Sequence, residues 1–510
     1  MLEIPLDFIQ SCTTLRELRL SNMAMKKVPT SVREATTLHR LDLSSNRIGD
    51  LEEAYLDNLA YLTSLHVQNN KIEKLPWHFP RLRSLVTLNI SNNKFRVFPP
   101  AISNLEALRD LDVSFNMIAE LPEDPGPGLI GLERLVLVGN QIGKFPDEWR
   151  ALRNLRVLDC RRNMISGLGV VSKLPKLQML SADHNAVHAL DLGVGPCLTT
   201  LDASFNEITQ LELKGVGAGV GVVSYALTSL DISHAKLSSL DGLALSTLSS
   251  LRTLRLDHNT FRSIPETLGE LQHLELLSCA DNKLDALPPA IGRLARLEVL
   301  DAHNNCLTEV PAQIWGCGRL RRVNLTSNFV GVWHDPGVGG FSTGAGWAGS
   351  QATVAGGKSS ASLGGSASGH AVPPLVYSLE KLYIGENRLT DDVLETLMVF
   401  TGLRILNLSF NDLQDLPMHF LRNLTLLEEL YLSGNKLTSI PTEDLHRMGR
   451  LSVLYLNGNR LQTLPQELGK VKSLTVLDVG SNLLKYNVNN WEFDWNWWVY
   501  DCSQRNITRR

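Results

Sequence analysis

The residues best suited to chemistry in this chain are histidines and aspartates placed by a repeated pattern. His234 and His258 occupy the same place in successive copies, and Asp257 and Asp281 are read as a second such pair. Neutral imidazole and carboxylate groups are metal ligands, and residues on neighbouring strands lie only about 4.8 Å apart. A closed zinc site asks for four ligands in tetrahedral geometry. Nothing else in the pattern supplies that geometry, so a solvated polar ladder is expected and no metal is assigned. The cysteines, Cys12, Cys160, Cys197, Cys279, Cys306, Cys317 and Cys502, are scattered without a C-x-x-C pair. Cys160 and Cys279 fall where core residues are due, which predicts buried, reduced thiols in a reducing compartment. H-E-x-x-H, G-x-x-x-x-G-K-[ST] and the kinase motifs do not occur, and the single G-x-S-x-G match, Gly340 to Gly344, falls in a Gly/Ser/Ala-rich stretch without the strand-to-helix pattern of a nucleophile elbow, so neither catalysis nor a cofactor is expected of this chain.

Binding is the remaining class of chemistry. One column of strand positions is acidic: Asp42, Asp112, Asp159, Asp202, Asp231, Asp301 and Asp478. Arginines gather elsewhere on the same expected face. Arg134, Arg156, Arg161 and Arg162 form one group, Arg252 and Arg255 a second, and Arg321 and Arg322 a third. Tyr383, Tyr431 and Tyr455 line the later copies. Arginine and tyrosine are frequent anchors of protein interfaces. A solvated charged face accounts for any one of these residues, whereas the face as a whole is expected to bind protein.

One short pattern must position all of them. Its cleanest copy is LRILNLSFNDLQDLP, Leu403 to Pro417, which fits the template L-x-x-L-x-L-x-x-N-x-L of the leucine-rich repeat. Leu403, Leu406 and Leu408 should share one side of a short strand, and the residues between them the other. The asparagine amide is placed to bond the backbone of neighbouring coils. Seventeen copies carry that asparagine, from Asn46 to Asn482, and two more put Met23 and Ala235 there. Most steps are 23 or 24 residues. Many copies continue as L-P-x-x-[IL]-x-x-L, as in Leu287 to Leu294, where proline marks the departure from the strand and the spacing suits a short helical turn. A single copy cannot bury its leucines, but a stack of copies can. The expected fold is therefore α/β: a leucine-rich repeat solenoid, a curved horseshoe with a parallel sheet on its concave face and short helical or irregular segments on its convex face.

Two interruptions and the final segment divide the chain. Lys214 to Ala226 is a short excess, and 331–374 is a Gly/Ser/Ala-rich insertion too poor in apolar surface to order itself. The expected organisation is repeats over 1–330, a disordered insertion over 331–374, repeats over 375–484, and a Trp-rich cap or truncated junction over 485–510. The formal charge of −4 at pH 7 argues against a nucleic-acid partner. No apolar run reaches the roughly 20 residues that span a bilayer, and Glu3 and Asp7 interrupt any leader. No direct membrane insertion is expected.

Ser11 to Val32, and above all LLKYNVNNWEFDWNW, Leu483 to Trp497, resemble the leucine-rich repeat region of fungal adenylate cyclase. The K-Y-N-x-x-N and D-W-N-W elements are the discriminating ones, since the repeats are common to many families. The resemblance implies an interaction module for a Ras-type small GTPase in its GTP form, within cAMP signalling, without the catalytic domain. It implies a cytoplasmic chain held at the membrane through a lipidated partner, with docking to cyclase domains that this chain lacks. The acidic effector surface of such a partner would suit Arg156, Arg161 and Arg162 by charge. The alternative is a stand-alone cytosolic scaffold of the Ras-suppressor or phosphatase-targeting type, which shares the same repeat grammar.

Overall fold

The computed structural model describes residues 4–212, 225–241, 245–334 and 372–485, and the backbone of 499–500. Most of the Lys214–Ala226 excess, the bulk of the 331–374 insertion, and the tryptophan-rich stretch lie outside the described residues. The chain forms two compact units, Met1–Thr253 and Leu254–Arg510.

In the first unit ten three-residue strands, from Glu17–Arg19 to Ser229–Asp231, pair in sequence order. Every pairing is parallel and in direct register, for example Leu41 beside Leu65 and Leu65 beside Leu88. In the second unit the parallel series runs from Leu276–Ser278 through Val299–Asp301, Arg322–Asn324, Lys381–Tyr383, Ile405–Asn407, Glu429–Tyr431 and Val453–Tyr455 to Val476–Asp478. Val499–Tyr500 pairs beyond it. The central strand residue is the template leucine, or Val323 in one copy, so identical register stacks these residues into a buried row within each unit; Leu41, Leu65 and Leu88 in the first, and Leu300 and Leu406 in the second, have no exposed surface. This is the leucine-rich repeat solenoid that the period predicts.

The asparagines form the ladder. Asn116 is typical: its Oδ1 accepts the Phe95 N–H of the preceding coil at 3.1 Å, and its Nδ2 donates to the carbonyls of Ile90, Val113 and Ser114 at 3.2, 3.0 and 3.1 Å. In the coil where Met23 replaces asparagine, Asn46 of the next coil accepts from both Met23 and Met25 N–H at 3.0 Å. Proline has a more specific role than ending the strand. Pro99, Pro146, Pro265 and Pro288 stand directly before five-residue 3₁₀ turns. Each is fixed near φ −65°, and each carbonyl accepts the turn's closing N–H at 3.0–3.1 Å. Four copies add a short strand after the ladder asparagine, in two parallel pairs: Ala189–Asp191 with Gln210–Glu212, and Glu309–Val310 with Val332–Trp333.

That last pairing bears on the insertion. Gly331–His334 belong to a coil, and Leu375–Ser378 form a helix that buries Leu375 and Val376. Arg322–Asn324 pairs with Lys381–Tyr383, and Val330 N–H donates to Asn387 Oδ1 at 2.9 Å. The coils on either side of the long step are therefore direct neighbours. Trp315, stacked on Phe400 at 5.1 Å, and Trp333, edge-on to Phe400 at 5.8 Å, pack at this junction.

Candidate partner-binding face

Because side chains alternate, each three-residue strand points its central leucine into the core and presents its two outer residues on the open face of the sheet. That face is where the expected binding residues lie, and the structure gives its columns different roles.

The acidic column is largely part of the fold. Asp42 Oδ1 accepts the N–H of Ser44 at 2.9 Å; Asp112 and Asp202 do the same for Ser114 and Ser204, whose hydroxyls donate to the same oxygens. Asp231, Asp301 and Asp478 each accept the N–H two residues on, at 3.0, 3.3 and 3.0 Å. Asn89 and Asn407 act identically where the column is not acidic. These are side-chain caps that turn the chain out of the strand. The D-x-S spacing carried this signal in the sequence, although the column reads there as surface charge.

The chain then leaves the strand through a left-handed residue immediately before the ladder asparagine. Ser45, Phe115, Arg162, Phe205 and Phe410 have φ between 51° and 57°, and Gly139 and Gly434 stand at 66°. Nothing in the template announces this position, since its residue types vary. At Gly139 a Cβ would meet the ring of Phe115 at 2.7 Å, and Gly434 faces Phe410 in the same way. Small size is needed there as well as backbone freedom.

In the first unit Arg134, Arg156 and Arg161 are already engaged. Arg161 Nε and Nη2 donate to the two Asp159 carboxylate oxygens at 2.8 Å each, and Nε lies 3.7 Å from Asp183. The hydrogen bond with Asp159 raises the Arg161 pKa further above its ordinary value. Arg156 lies 3.6 Å from Glu133, and Arg134 lies 3.0 Å from Asp110. Arg162 is separated from Arg161 by the left-handed turn that it occupies itself and makes no ion pair among the described residues. Arg252 is exposed in this unit. Of the three arginines expected to meet an acidic partner, Arg156 and Arg161 therefore already have a carboxylate against the guanidinium.

In the second unit Arg321 lies 3.7 Å from Glu380, and the Arg322 guanidinium sits 5.4 Å from the centre of the Tyr383 ring. Tyr431 and Tyr455 stack at 5.1 Å. The Tyr431 hydroxyl donates to Glu429 at 2.7 Å; burial first, then this hydrogen bond, raises its pKa. Arg255 is exposed at the start of the unit.

The histidines and aspartates do not arrange as ligands. Asp257 precedes its ladder asparagine by two residues and Asp281 by one, so they are not equivalent; Asp281 corresponds to His258. Asp257 Oδ1 accepts from the Ser278 hydroxyl and Ala280 N–H. Asp281 Oδ2 lies 3.3 Å from His258 and 3.5 Å from His303. In the first unit His184, Phe205 and His234 stack with ring centres 4.3 and 3.9 Å apart. Among the described residues no group of three or more His, Cys, Asp or Glu is placed to hold a metal. Cys160 and Cys279 are fully buried, as is Cys317, and burial raises all three thiols, Cys317 to about 12.

Among the described residues no helix is long and apolar enough to cross a membrane. A family model for the leucine-rich repeat matches residues 60–118, 130–187, 226–284, 377–437 and 401–461, and a second matches 34–51. Adenylate cyclase of Podospora anserina is 35% identical over 578 aligned residues, covering 97% of this chain and 26% of that protein. Adenylate cyclase of Mycosarcoma maydis is 48% identical over 359 residues, 66% of this chain and 14% of the relative. That of Schizosaccharomyces pombe is 31% identical over 428 residues, 82% and 24%. The chain thus spans about a quarter or less of these relatives. Among solved structures, a TDR receptor is 21% identical with a TM-score of 0.60, covering 94% of this chain and 86% of that one. YopM from Yersinia enterocolitica is 20% identical with a TM-score of 0.55, covering 94% and 90%. At such identity these two report on fold alone. By its repeats, its ladder and these matches, the chain belongs to the leucine-rich repeat family, and its sequence is similar to fungal adenylate cyclases.

Proposed function

We propose that this protein-interaction module docks a small GTPase of the Ras type in its GTP-bound form, as part of a fungal adenylate cyclase signalling through cAMP. The observation that carries this reading is the combination of an open strand face bearing arginine and tyrosine with similarity to fungal adenylate cyclases over most of the chain. Stacked coils present that face on a rigid backbone, which lowers the ordering cost of binding. The chain's own residues hold and orient a partner; the cyclase reaction itself is assigned to no residue here. Location in the cytoplasm, at the membrane through the partner's lipid, rests on the same reading, as does docking to cyclase domains outside this chain.

The test is titration of the purified chain with a Ras-type GTPase loaded in parallel with a GTP analogue and with GDP. Preference for the GTP form by about tenfold, equivalent to about 1.4 kcal/mol, is expected. Equal affinity for the two forms, or binding to neither by a folded monodisperse sample, overturns the reading.

A further inference from the structure

The cations of the open face differ in what surrounds them. In the first unit Arg134, Arg156 and Arg161 each lie against a carboxylate. In the second unit Arg404 lies 3.4 Å from Glu428 and Arg321 lies 3.7 Å from Glu380. Arg322 and Lys381 are different. They are direct cross-strand partners in the parallel register, and neither makes an ion pair among the described residues. Like charges placed directly opposite on adjacent strands repel. The Arg322 guanidinium rests over the Tyr383 ring instead of a carboxylate, a contact that holds the cation without neutralising it.

Beside this pair the face changes character. Ile405, Glu429, Val453 and Val476 continue the strand position of Arg322 and Lys381, all half-buried, with Glu429 the one carboxylate among them. Tyr431 and Tyr455 stack in the adjoining column. The nearby Glu429 carboxylate already accepts the Tyr431 hydroxyl. The strip from the strand of Arg322 to that of Tyr455 crosses five strands, about 19 Å at the usual strand spacing. That is the reach of about six extended residues.

Resting on the protein-docking reading above, we infer that this strip receives an extended acidic segment of a protein partner, its carboxylates meeting Arg322 and Lys381 and an apolar side chain covering Tyr431 and Tyr455. Charge complementarity selects the occupant. A carboxylate between Arg322 and Lys381 relieves their mutual repulsion, whereas a basic segment adds to it. The stacked tyrosines provide a flat anchor at low conformational cost.

Two probes test this on the whole chain. The first is the GTP-analogue-loaded Ras-type GTPase. The second is a fluorescein-labelled peptide of four glutamates followed by leucine and phenylalanine. Both are titrated against the wild type, the Arg322→Glu/Lys381→Glu variant, the Tyr431→Ala/Tyr455→Ala variant, and an Arg161→Glu/Arg162→Glu control, each checked by circular dichroism. The charge reversal is expected to weaken peptide binding about tenfold or more and to flatten its salt dependence. The tyrosine variant should dissociate faster, and the control should stay near wild type. If the peptide shows this dependence and the GTPase does not bind, the strip stands and the GTPase reading fails. A peptide that does not bind, or that binds all four proteins alike, overturns the strip. Loss of GTPase binding in the Arg161/Arg162 control alone also overturns it, because it moves the docking surface to the first unit.

Discussion

Arg161 grips Asp159 with two parallel hydrogen bonds, Nε and Nη2 each 2.8 Å from a carboxylate oxygen, two residues apart on one strand exit. The fork fits the carboxylate so closely that the arginine's strongest interaction is spent within its own coil. Its side chain is still 47% exposed, which keeps the energy of the pair small. Arg161→Ala should shift stability by less than about 1 kcal/mol, read from the urea midpoint. A larger loss would mean that this pair is a structural element rather than a surface one.

The asparagine ladder is where a single substitution should cost most. Asn116→Ala removes one acceptor and two amide hydrogens serving several buried backbone groups, each costing about 1–3 kcal/mol when left without a partner. A total near 3 kcal/mol is expected. Solenoids need not unfold in one step, so hydrogen exchange is the better measure. The Phe95 amide should exchange faster by orders of magnitude in the variant, and an unchanged rate would remove the ladder from the account of stability.

The buried thiols give stability a dependence on pH. The folded pKa of Cys317 is raised to about 12 by burial, while an unfolded thiol titrates near 8.5. The sign follows from proton counts: above about pH 8.5 the unfolded chain binds fewer protons than the folded one, so stability falls as pH rises. The same direction holds for Cys160 and Cys279. Urea midpoints should decline from pH 8 towards pH 11, and less so in a Cys160→Ala/Cys279→Ala/Cys317→Ala variant. Iodoacetamide at pH 8 should label exposed Cys197 well before these three.

Tyr431 should ionise later than an ordinary tyrosine, because burial and the bond to Glu429 both oppose the phenolate. Absorbance at 295 nm during alkaline titration will show it. Glu429→Gln removes the neighbouring charge and should bring the Tyr431 transition down, towards the usual value near 10. No change in that transition would leave burial as the sole cause.

How much the sequence revealed differs between the scaffold and the face. The 23- or 24-residue period fixes which residues are core, because Leu406 or Leu454 can reach the interior only if every coil repeats the same alternation. It also identifies Asn411 and its equivalents as ladder residues, since asparagine recurs at that one template position in seventeen copies. Even the 59-residue step does not disturb this: Arg322 still pairs with Lys381, as the period requires once the insertion is set aside.

The face depends on distances that a one-dimensional pattern does not contain. Asp42, Asp112 and Asp202 read as surface charge until their oxygens are seen on the N–H groups two residues on. Arg161 and Arg162 read as a pair, yet one is tied to Asp159 and the other sits on a left-handed turn. Arg322 and Lys381 are far apart in the chain and adjacent in space. Sequence periodicity determined the coil, because burying the leucines leaves one solution for the backbone. The tertiary structure decided which charges are neutralised and which remain, because electrostatic pairing turns on separations of a few ångströms between coils.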